Sequence, residues 1–251
     1  MFKTKLTQLI FSIVAALGLW TALVLFGSIF EGSSFGRVFE ILGGSGKGYI
    51  QAAIYVLFFY SLFDLFERKR AIKQEFEGFK LNLLPEKDQL VLSPEEVGKI
   101  KLDVIELEKT GKRFMITNFI KKACTQYRND KSIPDTLQVF NAQVDNSKEE
   151  LESKLEIVRY LLGAIISLGF IGTLIGLSSS IGMAHLAKTE EGMPEITRNL
   201  NIAFDTTLVA LLIGLVLNFF YHRYLEYIDT FYSRTKSYII DNLISRIYVP
   251  V

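Results

Sequence analysis

The chain has 251 residues, of which 49% are hydrophobic, and its 28 basic side chains nearly balance 27 acidic ones. With a positive mean hydropathy, this excludes an ordinary soluble domain of that length and any general affinity for nucleic acid. One cysteine, Cys124, excludes an intrachain disulfide and a cysteine metal cluster.

Residues 6–30 carry no charge and are long enough to cross a bilayer. Lys3 and Lys5 precede them as in a signal peptide. The run is too long for a cleaved segment and no small-x-small site ends it, so it is read as retained. Next comes Gly43-Gly44-Ser45-Gly46-Lys47-Gly48. A phosphate loop would need Gly where Ile41 stands and Ser or Thr where Gly48 stands, so a flexible glycine hairpin between two spans is expected. Residues 48–63 form a second, shorter uncharged run that would cross with little tilt or with Lys47 snorkelling, and Asp64 at its inner end is read as facing water.

From 67 to 156 the chain is polar. Ser93-Pro94-Glu95-Glu96 predicts a capping box opening a helix towards Lys109, with a stop at Gly111. A second helix is predicted over 113–128. Pro134 opens a third, with Leu137, Phe140, Val144, Leu151, Leu155, Val158 and Leu162 on one side. That spacing predicts one unbroken helix into a third span at 158–187. A short loop containing Pro194 leads to a fourth span at 200–221, and the tail to Ile247 again has helical spacing. The central segment has limited apolar content for a core of its own, and is read as helices bracing the bundle rather than an enzyme domain.

The expected fold is therefore all-α, a polytopic membrane bundle of four transmembrane helices with helical cytoplasmic extensions. Its segments are 1–66 (two spans), 67–157 (cytoplasmic helices), 158–222 (two spans) and 223–251 (a cytoplasmic helix). Lys5, Arg68, Lys69, Arg70 and Arg223 flank one side of the spans, while acids match or outnumber bases in the other loops. By the positive-inside rule both termini and the central segment are cytoplasmic.

Small and hydroxyl residues mark one face of each of the last two spans. The third carries Gly169, Gly172, Thr173, Gly176, Ser179 and Ser180, and the fourth Ala203, Thr207, Ala210, Gly214 and Asn218. Close helix packing accounts for Gly169, Gly172, Gly176, Ala203, Ala210 and Gly214. It accounts less well for the hydroxyls and amide, so Thr173, Thr207, Ser180 and Asn218 are candidates for an ion pathway. Asp205 joins them, although two residues from Thr207 it points to nearly the opposite face. An ionised carboxylate there needs a donor or water. Three roles stay open: an anchor at the outer end with Arg198 or Lys188, an access site or relay in the ion route, or a contact with a partner. His185 and His222 are read as boundary residues.

The stretch Gly169-Phe170-Ile171-Gly172-Thr173-Leu174-Ile175-Gly176-Leu177, followed by residues 202–212, resembles the MotA/TolQ/ExbB proton-channel family over about 158–223. Four spans with a large loop between the second and third resemble its flagellar-stator branch. The resemblance implies a bacterial inner-membrane channel subunit. Five copies would surround a dimer of a single-span protein that carries the essential aspartate and a peptidoglycan- or periplasm-binding domain. Ion flow would drive rotation or other mechanical work on a cytoplasmic or outer-membrane cargo. Thr173 and Thr207 match the family's pore-facing threonines. Ala210 and Asp205 depart from its pattern. No catalytic residues, metal site or cofactor are expected; the transported ion is H⁺ or Na⁺. The alternative is a scaffold membrane protein whose small-residue stripes only pack helices.

Overall fold

Uncharged runs in a chain that must satisfy its own backbone become helices, and that is what the computed structural model shows. It describes residues 2–30, 32, 34–44, 48–86 and 91–248, with 2–4 and 34 described by backbone alone. The main helices are α1 (Phe2–Ile29), α2 (Ser34–Phe39), α3 (Tyr49–Glu75), α4 (Pro94–Lys109), α5 (Met115–Asp130), α6 (Ile133–Ser153), α7 (Glu156–Gly182) and α8 (Gly192–Asn242). No strand occurs among the described residues; Leu92 and Ile247 form an isolated bridge. Four of the helical stretches are long and apolar enough to cross a membrane.

The chain divides into two compact units, Met1–Phe66 with Glu156–His222, and Glu67–Leu155 with Arg223–Val251. In the first unit α1, α3 and α8 meet around Ala16, Leu23, Tyr55 and Val209. The connector after α1 is not the free hairpin its glycines predict. It forms α2 and a π-helical turn, Glu40–Gly44, in which Gly43 takes φ 98°, a conformation glycine adopts without strain. Trp20 Nε1 donates to the Gly43 carbonyl at 3.1 Å and Tyr55 OH to that of Leu42 at 2.6 Å. Phe39 stacks on both Phe26 and Phe30. These anchors override the local flexibility of the glycines. Ser45, Gly46 and Lys47 lie outside the described residues, and with them the expected snorkelling of Lys47. The side chain of Lys3 and the whole of Glu31 lie outside them too.

Asp64 is 5% exposed and does not face water as read from the sequence. It continues the face of α3 on which Ser61 and Leu65 are buried. Many large apolar side chains of α7 and α8 stay exposed, Ile181 and Leu215 among them. Lipid or a neighbouring helix has to cover such a surface.

The second unit begins with the predicted capping box. Glu96 N–H donates to Ser93 Oγ at 3.3 Å, and the Ser93 N–H to Glu96 Oε2 at 2.7 Å. Helix α4 ends before Gly111, at φ 89°. The predicted shortage of core does not hold, because the end of α8 supplies missing apolar faces. Phe76, Phe79, Tyr227, Phe231 and Tyr238 pack edge to face or tilted, and Val97, Ile116, Ile120, Val144, Ile228 and Ile239 are fully buried. Ion pairs Lys121–Glu108, Lys148–Asp229 and Lys236–Asp145, each at 2.7 Å, tie the helices at their edges.

The predicted unbroken helix from Pro134 is interrupted. Helix α6 ends at Ser153 and α7 starts at Glu156. At the break the Leu155 N–H reaches the Glu152 carbonyl three residues back, at 2.8 Å, while Leu155 itself is fully buried. Tightening to an i→i−3 bond needs neither glycine nor proline, so the sequence carries no break signal there. Pro194 is not in a loop but in the first turn of α8, where its missing N–H costs nothing.

Candidate ion-path site

The seam between α7 and α8 is built by residues too small to hold the helices apart. A Cβ placed on Gly169 would overlap the Ala210 methyl, and one on Gly176 would lie 2.8 Å from the Asn199 carbonyl oxygen. On Gly172 it would lie 2.7 Å from Thr206 Cβ. Gly214 differs, since its nearest neighbour, Ile166, stands at ordinary contact distance. Gly169, Gly172, Gly176, Ala203 and Ala210 thus interlock the two helices, whereas Gly214 only lies beside them.

Two of the predicted ion-path residues meet across this seam. Thr173 Oγ1 and Thr207 Oγ1 are in direct hydrogen-bonding contact. Thr207 also donates to the Gly169 carbonyl at 2.8 Å, and Thr173 reaches the Ala203 carbonyl at 3.0 Å. Only two hydroxyl hydrogens are available for these three contacts, so both are taken up within the seam and one contact goes without a hydrogen of its own. What the half-buried pair can still offer a visitor is oxygen lone pairs. A cation or a hydrogen-bond donor suits it; an acceptor does not.

The other candidates are placed apart from this pair. Ser180 is buried seven residues beyond Thr173, about 10 Å along the helix, and its hydroxyl reaches the carbonyls of Gly176 and Ile196. Asn218 is half-buried on α8, eleven residues past Thr207, which is about 16 Å. Asp205 is 7% exposed and its carboxylate accepts from Arg37 Nη2 at 2.9 Å. Arg37 reaches Glu40 as well, at 3.2 Å. The donor is therefore neither Arg198, which faces Glu195 at 3.7 Å, nor Lys188. Arg37 sits on α2, whose anchoring to α1 places it over α8. His185 is exposed and its Nδ1 lies 3.1 Å from the Gly182 carbonyl.

One residue of the seam escapes sequence reasoning. Thr206 is 1% exposed and fills the notch above Gly172 while its hydroxyl donates to the Ala203 carbonyl at 2.8 Å. Its signal was present as the i+3 partner of Ala203, but a stripe drawn through Thr207 leaves it to one side.

With this geometry in view, the comparisons decide the family. A sequence profile of the MotA/TolQ/ExbB proton channel family matches residues 112–237, half of the chain. The chain belongs to the MotA/TolQ/ExbB family. No curated protein and no solved structure matches it. It is thus a multi-pass membrane protein of a channel family, with α7, most of α8 and their threonine pair inside the matched region and α1 to α3 outside it. The glycine-rich α7 and the Ala203–Ala210 face of α8 are where these two helices of this MotA/TolQ/ExbB chain approach closely.

Proposed function

We propose that this chain is the channel subunit of an ion-driven motor in the bacterial inner membrane, with both termini cytoplasmic. Five copies would surround two copies of a single-span protein whose membrane aspartate carries H⁺ or Na⁺. The supporting observation is the Thr173–Thr207 pair, whose hydrogens are committed to the seam and whose lone pairs are left to accept. Such a pair can solvate a passing cation or receive the proton of a neutral carboxylic acid on the partner, without titrating itself. Moving one charge through 100 mV releases about 2.3 kcal/mol, so a few ions per step suffice to switch a packed interface between discrete states. The cargo, whether flagellar, gliding, outer-membrane or defensive, would be contacted through the second unit.

The scaffold reading draws on the same seam, because glycine packing alone explains its closeness. Thr207→Val separates the two. Valine keeps the shape and removes one oxygen, so the interlocked helices survive and assembly is retained. Ion-coupled activity, read as proton or sodium flux into cells or vesicles, should fall at least tenfold. Unchanged flux in a correctly assembled variant contradicts a role for the pair.

A further inference from the structure

Beside the seam, on the side of Thr206 rather than Thr207, lies a cavity of about 90 Å³. Its lining includes Gln51 of α3, Gly172, Gly176 and Ser179 of α7, and Asn199 and Thr206 of α8. Among the described residues no charged side chain lines it. Gln51 is 2% exposed, and among the described residues nothing donates to its Oε1. A buried amide oxygen left in that state is costly in any protein, and more so at membrane depth. A half-turn about the terminal side-chain torsion, which is broad and two-fold for an amide, exchanges the end presented to the cavity.

Two of the other polar groups around the space turn a hydrogen elsewhere. Thr206 Oγ1 donates to the Ala203 carbonyl at 2.8 Å, and Asn199 Nδ2 points to Met183 Sδ at 3.5 Å. Gln51, Ser179, Asn199 and Thr206 each bring a neutral side-chain oxygen to this lining. The volume exceeds what one water requires several-fold. Neutral amide and hydroxyl oxygens are ligands that a hard monovalent cation takes. The absent side chains of Gly172 and Gly176 therefore do two things: they let α8 approach, and they leave room for such an ion.

We propose that the Gln51–Ser179–Asn199–Thr206 cavity binds a small monovalent cation with part of its water, within a single subunit and separate from the threonine pair. The cavity runs from Gly172 and Thr206, next to that pair, to Ser179, six residues or about 9 Å from Thr173 along the helix. In the orientation proposed above the Ser179 end is its outer side, where an arriving ion would pause. The binding itself does not depend on that orientation or on mechanical coupling.

Thermal unfolding of the full-length chain in detergent tests it, in sodium chloride against choline chloride of equal concentration. Sodium should raise Tm by about 3 °C or more when present well above its dissociation constant. Gln51→Leu should abolish that difference, and Ser179→Ala should reduce it; if the leucine variant does not fold, the alanine variant carries the test. Equal Tm in the two salts overturns the proposal and leaves the cavity a water pocket, as does a sodium effect that both variants retain in full. No flux is read, so failure here is distinguishable from failure of the channel reading.

Discussion

Gly172 and Gly214 lie on the two faces that mark the seam, yet only one of them is indispensable to it. A methyl on Gly172 drives into Thr206, while one on Gly214 meets Ile166 at ordinary contact distance. Gly172→Ala should cost about 1–3 kcal/mol through overpacking, and Gly214→Ala should stay within about 0.5 kcal/mol. Thermal unfolding of the two variants side by side checks the contrast. At Asp205 the structure supplies an electrostatic argument that the sequence could not, since its partner Arg37 is 168 residues away. Arg37→Ala leaves a buried carboxylate without its donor and should destabilise by about 1–3 kcal/mol. Adding Asp205→Asn should restore most of that loss, because a neutral amide needs no counter-charge. A double variant as unstable as the single one would show that Arg37 acts otherwise. The hydroxyl pair was legible from spacing alone, because Thr173 and Thr207 each fall on a small-residue face. Thr206 was not, since its role depends on which glycine stands opposite.

At the scale of elements, local chemistry read correctly wherever its cause was local. The Ser93–Glu96 box and the Gly111 stop are written in adjacent residues, and α4 has the predicted ends. The break at Lys154–Leu155, the anchoring of the glycine connector and the first-turn position of Pro194 are set by tertiary contacts or by bonding geometry that no residue type signals. Polar connectors like 67–156 hide their core for the same reason: Tyr227, Ile228, Phe231 and Ile239 arrive from α8. Two measurements probe this second unit. Burial alone would raise the Glu108 carboxyl, but hydrogen bonds from Lys121 and Thr117 outweigh it and hold the group below its ordinary value of 4.5. The pair therefore contributes stability above that value, and the contribution is lost as pH falls through the depressed folded value. Glu108→Gln should flatten this acid limb in unfolding curves recorded between neutral pH and pH 3. Cys124 is fully buried, and burial pushes its thiol up to about 12. It should resist maleimide at pH 7 in the folded chain and react once the second unit opens; rapid labelling under native conditions would contradict the packing of α5.

For the whole molecule, the exposed apolar faces of α7 and α8 are its most telling property. A lone subunit leaves Phe170, Ile181, Phe204, Leu215 and Phe219 uncovered, while the glycine seam lies inside the protomer. Helices of this kind are finished by neighbours or lipid, which is why family membership and four apolar helices could be read from sequence but the assembly could not. In the proposed function the threonine pair is one wall of a path whose other wall is a partner's carboxylate. The mass of the detergent-solubilised complex, purified after co-expression with the neighbouring reading frames, tests that most directly. Five copies of this chain bound to two of a single-span protein are predicted. A stable monomer or dimer without such a partner would contradict the account and return the glycine seam to simple helix packing.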